Sequence, residues 1–492
     1  MEQNTTPLPP TALVIFGATG NLSGKKIFPA LYRLLELGRL PQHFVIIGVV
    51  RGSVQKTIFQ DLEITILRQR GSCDPELIAK LKACTELIQM DSTVEDDYCH
   101  LKEMLDGVDK KAGVKHNRLY YLAIPPSIFR TVLVCLGAAG LNQEDGAAAR
   151  ILVEKPFGTD LSSARELVAT MNAYFSEAQT FRIDHYLAKE TAQNILTFRF
   201  NNPLIDGIWG RHSIDHIQIT SAETNDVADR AAFYEGMGAL RDIVQSHLLQ
   251  LVALTMMEVP FPMTAQNMHA ERLLLLRSIA PIKPAHISEF AVRGQYEGYK
   301  DEVKNPESRV ETFAALKIEV LNSRWGGVPV LLRTGKALAA SFTEINVVFK
   351  DRSRRNVPDN LLTLRIQPNE GVSLRMLAKK PGFSSETEPV EMSFRYDTSF
   401  GGARQAAAYE RVLVDAMQGD QTLFATSDEV LAAWEILQPV IDEWMNKQIP
   451  PPVIYPKGSM GPKESEVLAK EFGTEWLSMI KNFNKLIIPD EA

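Results

Sequence analysis

Two architectures in one chain are what this sequence predicts: an α/β unit on a parallel sheet, then a larger α+β unit with a mainly antiparallel sheet. Three observations carry the expectation. The chain has 492 residues, more than one hydrophobic core usually serves. From Ala12 to about Phe181, short apolar strands alternate with helical stretches, the pattern of parallel strands joined by crossover helices. After Asn201, strand-like runs follow one another without intervening helices, as antiparallel neighbours do. The expected domains are 11–181 and 182–492.

In the first unit the candidate strands are Ala12 to Phe16, Phe44 to Val50, Leu119 to Ala123 and Ile151 to Glu154. Each is a compact apolar run of strand length. In the second they are Ile214 to Thr220, Phe313 to Val320, Val328 to Arg333, Ile345 to Phe349, Leu361 to Ile366 and Val372 to Leu377. Helical periodicity returns in Gly238 to Glu258, Ala406 to Gln418 and Asp428 to Trp444, the last ending before Pro450-Pro451-Pro452. There is no internal repeat.

With 45% hydrophobic and 23% charged residues the composition is that of an ordinary soluble globular protein, so order is expected nearly throughout. A net charge of -7 argues against a general nucleic-acid or membrane-surface binder, which would hold phosphates with an excess of Lys and Arg. Any anionic ligand must then meet a local basic cluster. Cys73, Cys84, Cys99 and Cys135 lack CxxC spacing and a His-rich neighbourhood, so they read as reduced thiols. Met1 to Pro10 lacks a basic segment followed by an apolar one, and no later apolar run reaches membrane-spanning length; a cytoplasmic location is the expectation.

The first strand runs directly into Gly17-Ala18-Thr19-Gly20-Asn21-Leu22-Ser23, and Ile27, Leu31, Leu34 and Leu35 then keep helical spacing. Gly17 permits a tight turn, Gly20 lets backbone N–H groups approach a pyrophosphate, and the helix start adds partial positive charge. A GxxG on its own is weak evidence; between a first strand and a helix it reads as a dinucleotide-binding turn. The second strand ends at Arg51, where NAD-selective domains commonly place an acid. A guanidinium there pairs with a 2′-phosphate, so NADP is expected, with NAD possible.

The run Arg182-Ile183-Asp184-His185-Tyr186-Leu187-Ala188-Lys189-Glu190 holds an acid, an imidazole, a phenol and an ammonium. If a helix starts within it, His185 and Lys189 are four apart and Tyr186 and Lys189 three apart, so the three side chains converge on one small anion. Taken alone, a solvated helix start with local ion pairs is an equal reading. Its place at the domain junction favours a ligand cleft.

His247 sits on the apolar stripe of its helix with Ile243, Leu251 and Leu254, away from the polar row of Arg241, Asp242 and Gln245. Alone, such a histidine is more often satisfied in the core than catalytic. It is also the side chain best suited to take a hydroxyl proton near neutral pH, and Asp184 could orient its ring. His212 and His216, four apart at the edge of a strand-like run, do not gather there, and no metal is proposed.

Taken together, these segments resemble the glucose-6-phosphate dehydrogenase family over nearly the whole chain. The resemblance is carried by Gly17 to Pro29 (GATGNLSGKKIFP), Ala123 to Pro126 (AIPP), Glu154 to Gly158 (EKPFG), Arg182 to Glu190 (RIDHYLAKE), Gln245 to Gln250 (QSHLLQ), Arg293 to Tyr296 (RGQY), Arg324 to Pro329 (RWGGVP), Arg333 to Leu338 (RTGKAL) and Ala408 to Arg411 (AYER). It implies a Rossmann-type N-terminal domain and a larger domain whose sheet helps form a homodimer or homotetramer. It implies oxidation of glucose 6-phosphate to its lactone with NADP, the first step of the oxidative pentose phosphate pathway. His247 matches the general base and Asp184 the acid that orients it. His185, Tyr186 and Lys189 match the 6-phosphate group; Lys155, Glu223, Asp242 and Lys336 match residues that hold the sugar. Lys26 matches a basic residue near sugar and cofactor, while Gly17, Thr19, Gly20, Asn21, Leu22, Arg51, Pro125, Lys155 and Pro156 match the cofactor site.

The chain departs from the family pattern at Asn21 (usually Asp), Ala188 (usually Gly), Ser246 (usually Asn), and Asp226 and Asp229 (usually Gly). Alanine at 188 is harmless only with negative φ. Two added carboxylates near a dianionic substrate would weaken affinity or shift preference. Two rivals share the sequence features in part: a dehydrogenase for another sugar, and a catalytically silent NADP-binding paralogue.

Overall fold

The computed structural model describes residues 7–52, 57–227, 230–351, 360–400, 405–445 and 451–477. Among these, β1 (Thr11–Phe16), β2 (Phe44–Val50), β3 (Thr85–Gln89), β4 (Asn117–Leu122), β5 (Ala149–Glu154) and β6 (Thr180–Ile183) form one sheet in the order β3-β2-β1-β4-β5-β6. All neighbours are parallel. Every residue of β1 is buried, as expected of a central strand covered on both faces. The chain leaves β1 in one direction to β2 and later returns on its other side at β4, so a crevice opens at the carboxyl ends of β1 and β4.

Two strands of this sheet escape the sequence pattern. β3 is half-exposed and mixes polar with apolar residues. β6 contains Arg182, buried because its guanidinium donates to Glu177 Oε1 at 2.7 Å and Ser427 Oγ at 2.6 Å. Since β6 runs to Ile183, the first unit extends past the expected boundary at 181. Nor is its core closed by that stretch alone. Val412, Leu413, Ala416 and Met417, from the helix Ala408–Gln418, share a cluster with Leu13, Ile15, Leu119 and Tyr121.

The second sheet contains β7 (Ile214–Ala222), β8 (Ala291–Tyr296), β9 (Phe313–Glu319), β10 (Pro329–Gly335), β11 (Phe342–Phe349), β12 (Leu361–Gln367), β13 (Gly371–Lys379), β14 (Thr387–Arg395) and β15 (Val453–Tyr455). Their order is β14-β13-β12-β11-β7-β10-β9-β8-β15. Pairing is antiparallel except for β7 with β10 and β8 with β15. All six strands expected here are present. β8, β14 and β15 are additional: β8 is broken in hydropathy by Arg293 and Gly294, β14 is exposed over most of its length, and β15 is three residues long.

One face of this sheet packs on the stretch expected to be a helix from Gly238. It is π-helical over Leu240–Leu248 and continues as an α-helix over Leu249–Met256. Val244, Leu248 and Leu251 join Ile217, Ile219, Leu316, Leu332 and Ile345 in the main core. No described helix is long and apolar enough to cross a membrane.

Candidate functional site

The segment after β6 is not the start of a helix. Asp184 Oδ1 accepts the Tyr186 N–H at 2.8 Å, a local bond that turns the chain, and the helix Glu190–Phe200 begins only after Lys189. The expected convergence of His185, Tyr186 and Lys189 by helical spacing is therefore corrected: a turn, not a helix face, brings them to one cavity. Ala188 has no positive φ, so alanine carries no strain there.

The same Asp184 oxygen accepts the His247 Nδ1–H at 2.7 Å. On the other side of the ring, Lys155 Nζ donates to Nε2 at 2.7 Å. These two partners fix the tautomer, with hydrogen on Nδ1 and the lone pair on Nε2. The ring of Tyr186 stacks on His247 with centroids 4.2 Å apart, and His185 meets it edge-on at 4.5 Å. Burial pulls the His247 imidazole below its ordinary pKa, against the opposing pull of Asp184, and the ring is neutral at pH 7. Burial would raise the Asp184 carboxyl, but the neighbouring His247 ring and its hydrogen bond outweigh this and hold it low, so it is ionised.

Lys155 is held by Asp242, whose Oδ1 and backbone carbonyl accept from Nζ at 3.0 and 2.7 Å. Lys155 follows β5 and Asp242 lies in the π-helix, so this contact joins the two sheets' territories. A cavity of about 1020 Å³ is lined by His247, Lys155, His185, Tyr186, Lys189, Glu223, Asp242, Lys336 and Lys26, which brings together every residue assigned to substrate. Lys336 pairs with Glu223. Lys189 donates to Gln367 and lies 4.3 Å from the Tyr186 ring centre, and burial lowers its ammonium to about 8. The Tyr186 hydroxyl meets Ser221 Oγ at 3.1 Å.

Residues matched to the cofactor gather at the carboxyl ends of β1, β2, β4 and β5. Gly17 has φ +83°, and a Cβ there would lie 2.5 Å from the Ala123 carbonyl oxygen, so only glycine fits. The Gly20 N–H closes the turn on Gly17 O at 2.9 Å, and Ser23 Oγ donates to the same oxygen. Thr19 and Asn21 stand exposed at its tip, and Leu22 reaches the cavity shared with Lys26. Arg51 is exposed just after β2; Pro125 follows β4 and Pro156 follows β5. A tight glycine turn between strand and helix, with exposed donors at the tip, fits a pyrophosphate.

Of the unusual acids, Asp226 does not face the sugar pocket unpaired: Lys457 Nζ meets its carboxylate at 3.1 Å. Asp229 lies outside the described residues. His216 Nδ1 binds Asp215 at 2.8 Å, as a structural residue would, whereas among the described residues the potential metal-ligand atoms that gather are those of Asp184, His185 and His247, all within 4.8 Å of one another. The sequence reading missed Gln367, Arg230, Glu154 and Tyr409, which also line the cavity. Gln367 ends β12 far along the chain from Lys189, and only strand order brings them together.

Residues 14–194 match the family described as glucose-6-phosphate dehydrogenase, NAD binding domain, and residues 196–477 match glucose-6-phosphate dehydrogenase, C-terminal domain. A glucose-6-phosphate 1-dehydrogenase of Chlamydia pneumoniae is 40% identical over 498 residues, covering 95% of this chain and 96% of the relative. One of Bacillus subtilis (strain 168) is 36% identical, covering 96% of this chain and 99% of that protein. A solved structure of glucose-6-phosphate dehydrogenase in complex with its substrate glucose-6-phosphate is similar at a TM-score of 0.90 and 31% identity, covering 96% of this chain and 100% of that one.

Proposed function

This chain belongs to the glucose-6-phosphate dehydrogenase family, and from that premise we propose that His247, Asp184 and the lysines around them perform the family's reaction. The enzyme oxidises D-glucose 6-phosphate to 6-phospho-D-glucono-1,5-lactone with NADP. The observation that carries the residue assignment is the His247 ring held between Asp184 on Nδ1 and Lys155 on Nε2, each at 2.7 Å. The sugar's C1 hydroxyl takes the position of the Lys155 ammonium at Nε2, and the lone pair removes its proton. The C1–H electron pair leaves as hydride while the O–H electrons form the carbonyl of the lactone. NADP, when bound, supplies the acceptor for that hydride.

Asp184 stabilises the imidazolium that results and keeps the ring aimed, as a buried ionised carboxylate on Nδ1 does. Lys189, His185 and Tyr186 receive the 6-phosphate. Glu223, Asp242, Lys155 and Lys336 accept from or donate to the sugar hydroxyls, and Lys26 bridges toward the cofactor turn. Anchoring the phosphate away from C1 supplies binding energy for alignment at C1. Gly17, Thr19, Gly20, Asn21 and Leu22 hold the pyrophosphate, Pro125 and Pro156 flank the nicotinamide half, and Arg51 reads the 2′-phosphate, favouring NADP over NAD.

The chain works as a homodimer or homotetramer in the cytoplasm. Support for association is β14, an edge strand exposed over most of its length, with Met392 54% exposed and Phe400 nearby at 57%. Sedimentation of the purified protein reads the subunit count.

One assay tests the activity: reduced-cofactor absorbance with glucose 6-phosphate, glucose or no sugar, using NADP and NAD in turn. Signal with glucose equal to that with the phosphorylated sugar selects the other-sugar dehydrogenase, and no signal with either selects the silent paralogue. Repeating it on Arg51→Ala should reduce the NADP preference; an unaltered ratio assigns the 2′-phosphate to another group.

A further inference from the structure

The helix that carries Asp242 and His247 begins abruptly. The preceding helix, Ala231–Ala239, breaks at Gly238 (φ +70°, ψ 170°), and the π-helix starts at Leu240 with no side chain of its own start capping it. A helix end buried in this way leaves N–H donors without partners unless something else supplies acceptors. Glu311, from the segment leading into β9, does so. Its Oε1 accepts the Leu240 N–H at 3.0 Å, and its backbone carbonyl accepts the Ala239 N–H at 2.9 Å. The carboxylate presses on the break itself: a Cβ on Gly238 would lie 2.3 Å from Oε1.

We propose that Glu311 is a positioning residue for the oxidation: it clamps the start of the π-helix and so sets where Asp242 stands against Lys155 and His247 against Asp184. The path is short and stiff. Asp242 is two residues from the clamped Leu240 N–H, and His247 lies at the other end of the same helical segment. The contacts of Asp242 with Lys155 at 3.0 Å and of His247 with Asp184 at 2.7 Å are made across to residues that follow β5 and β6 of the first sheet, so a helix that slides or turns loses them together. Burial raises the Glu311 carboxyl, with Arg241 nearby opposing. The Leu240 N–H is met by one side-chain oxygen at this reach, and glutamine keeps a carbonyl oxygen there, which makes it the conservative replacement.

The inference rests on the assignment of His247 as base, so His247→Asn is measured beside the Glu311 variants. Expected are kcat losses of about tenfold or more in Glu311→Ala and Glu311→Asp, with glutamine within about threefold of the parent and KM for NADP within about twofold in all three. The aspartate variant keeps the charge but is one methylene too short; it carries the comparison with glutamine should alanine fail to fold. Parental kcat in Glu311→Asp, or glutamine falling as far as aspartate, overturns the proposal. So does a loss of kcat that only follows the folded fraction measured by circular dichroism. Retained turnover in His247→Asn instead overturns the assignment of the base, whatever the Glu311 variants do.

Discussion

At His247, burial and an ionised neighbour pull the basicity of one ring in opposite directions, and burial prevails. The ring is therefore neutral at pH 7, and the base we propose is lost only as pH falls through a pKa below the ordinary 6.5. The acidic limb of kcat/KM, corrected for substrate ionisation, is expected below pH 6.5; a midpoint above that value contradicts the environment described. His247→Asn should lower kcat by roughly two to four orders of magnitude with much less effect on KM. Near-normal turnover would remove its role. Lys189 sits in the opposite regime. Burial has brought its ammonium to about 8, so the cation proposed to meet the phosphate is present below that pH and fades above it. KM for glucose 6-phosphate should rise through pH 8 in the parent and stay flatter in Lys189→Arg, whose guanidinium remains charged; Lys189→Ala should show a raised KM at every pH. Identical pH profiles for parent and arginine variant would move the phosphate elsewhere.

The elements divide by how strongly local chemistry dictates them. The glycine turn is legible because its shape leaves no alternative: φ +83° at Gly17 and a carbonyl 2.5 Å from a would-be Cβ exclude every other residue. Gly17→Ala must therefore displace either the turn or the end of β4. KM for NADP should rise by about tenfold or more, with stability lowered by about 1–3 kcal/mol in thermal melts. A variant with unchanged NADP KM would show that the turn is not the cofactor cradle. β6, β8 and β14 were not legible, each for a physical reason. Arg182 and Arg293 are buried by partners distant in sequence, Ser427 and the Trp444 carbonyl, and in β14 the alternation of Val390, Met392 and Phe394 is short, interrupted by Pro389 and Glu391, and left largely exposed. The run after β6 misled by its spacing. Helical periodicity is a statement about free chain, and the Asp184 carboxylate outcompetes it by taking the Tyr186 N–H.

On the scale of the whole molecule, a chain with net charge -7 builds its cavity from the opposite sign: eight lysines and arginines line it against four carboxyl side chains among the described residues. A dianionic sugar phosphate is drawn toward such a cleft and a neutral sugar is not. kcat/KM for glucose 6-phosphate should fall about two- to fivefold between 0.05 and 0.5 M salt, while that for glucose stays nearly constant. Equal salt dependence for both sugars would mean that the cavity's charge plays no part in capture. The Asp226–Lys457 pair belongs to the same scale, because a carboxylate that looks adverse in the sequence is neutralised by a lysine more than two hundred residues later.

The sequence by itself determined four strands of the parallel sheet with their glycine turn, six strands of the second sheet and the identity of the residues available for chemistry. These follow from period, hydropathy and backbone freedom, which act over a few residues. Only the tertiary structure decided that Asp184 meets His247, that Lys155 holds the ring's other nitrogen, that Gln367 joins Lys189, and that the helix Ala408–Gln418 completes the first core. Such contacts depend on strand order and on burial, which pair groups far apart along the chain and which no local pattern encodes.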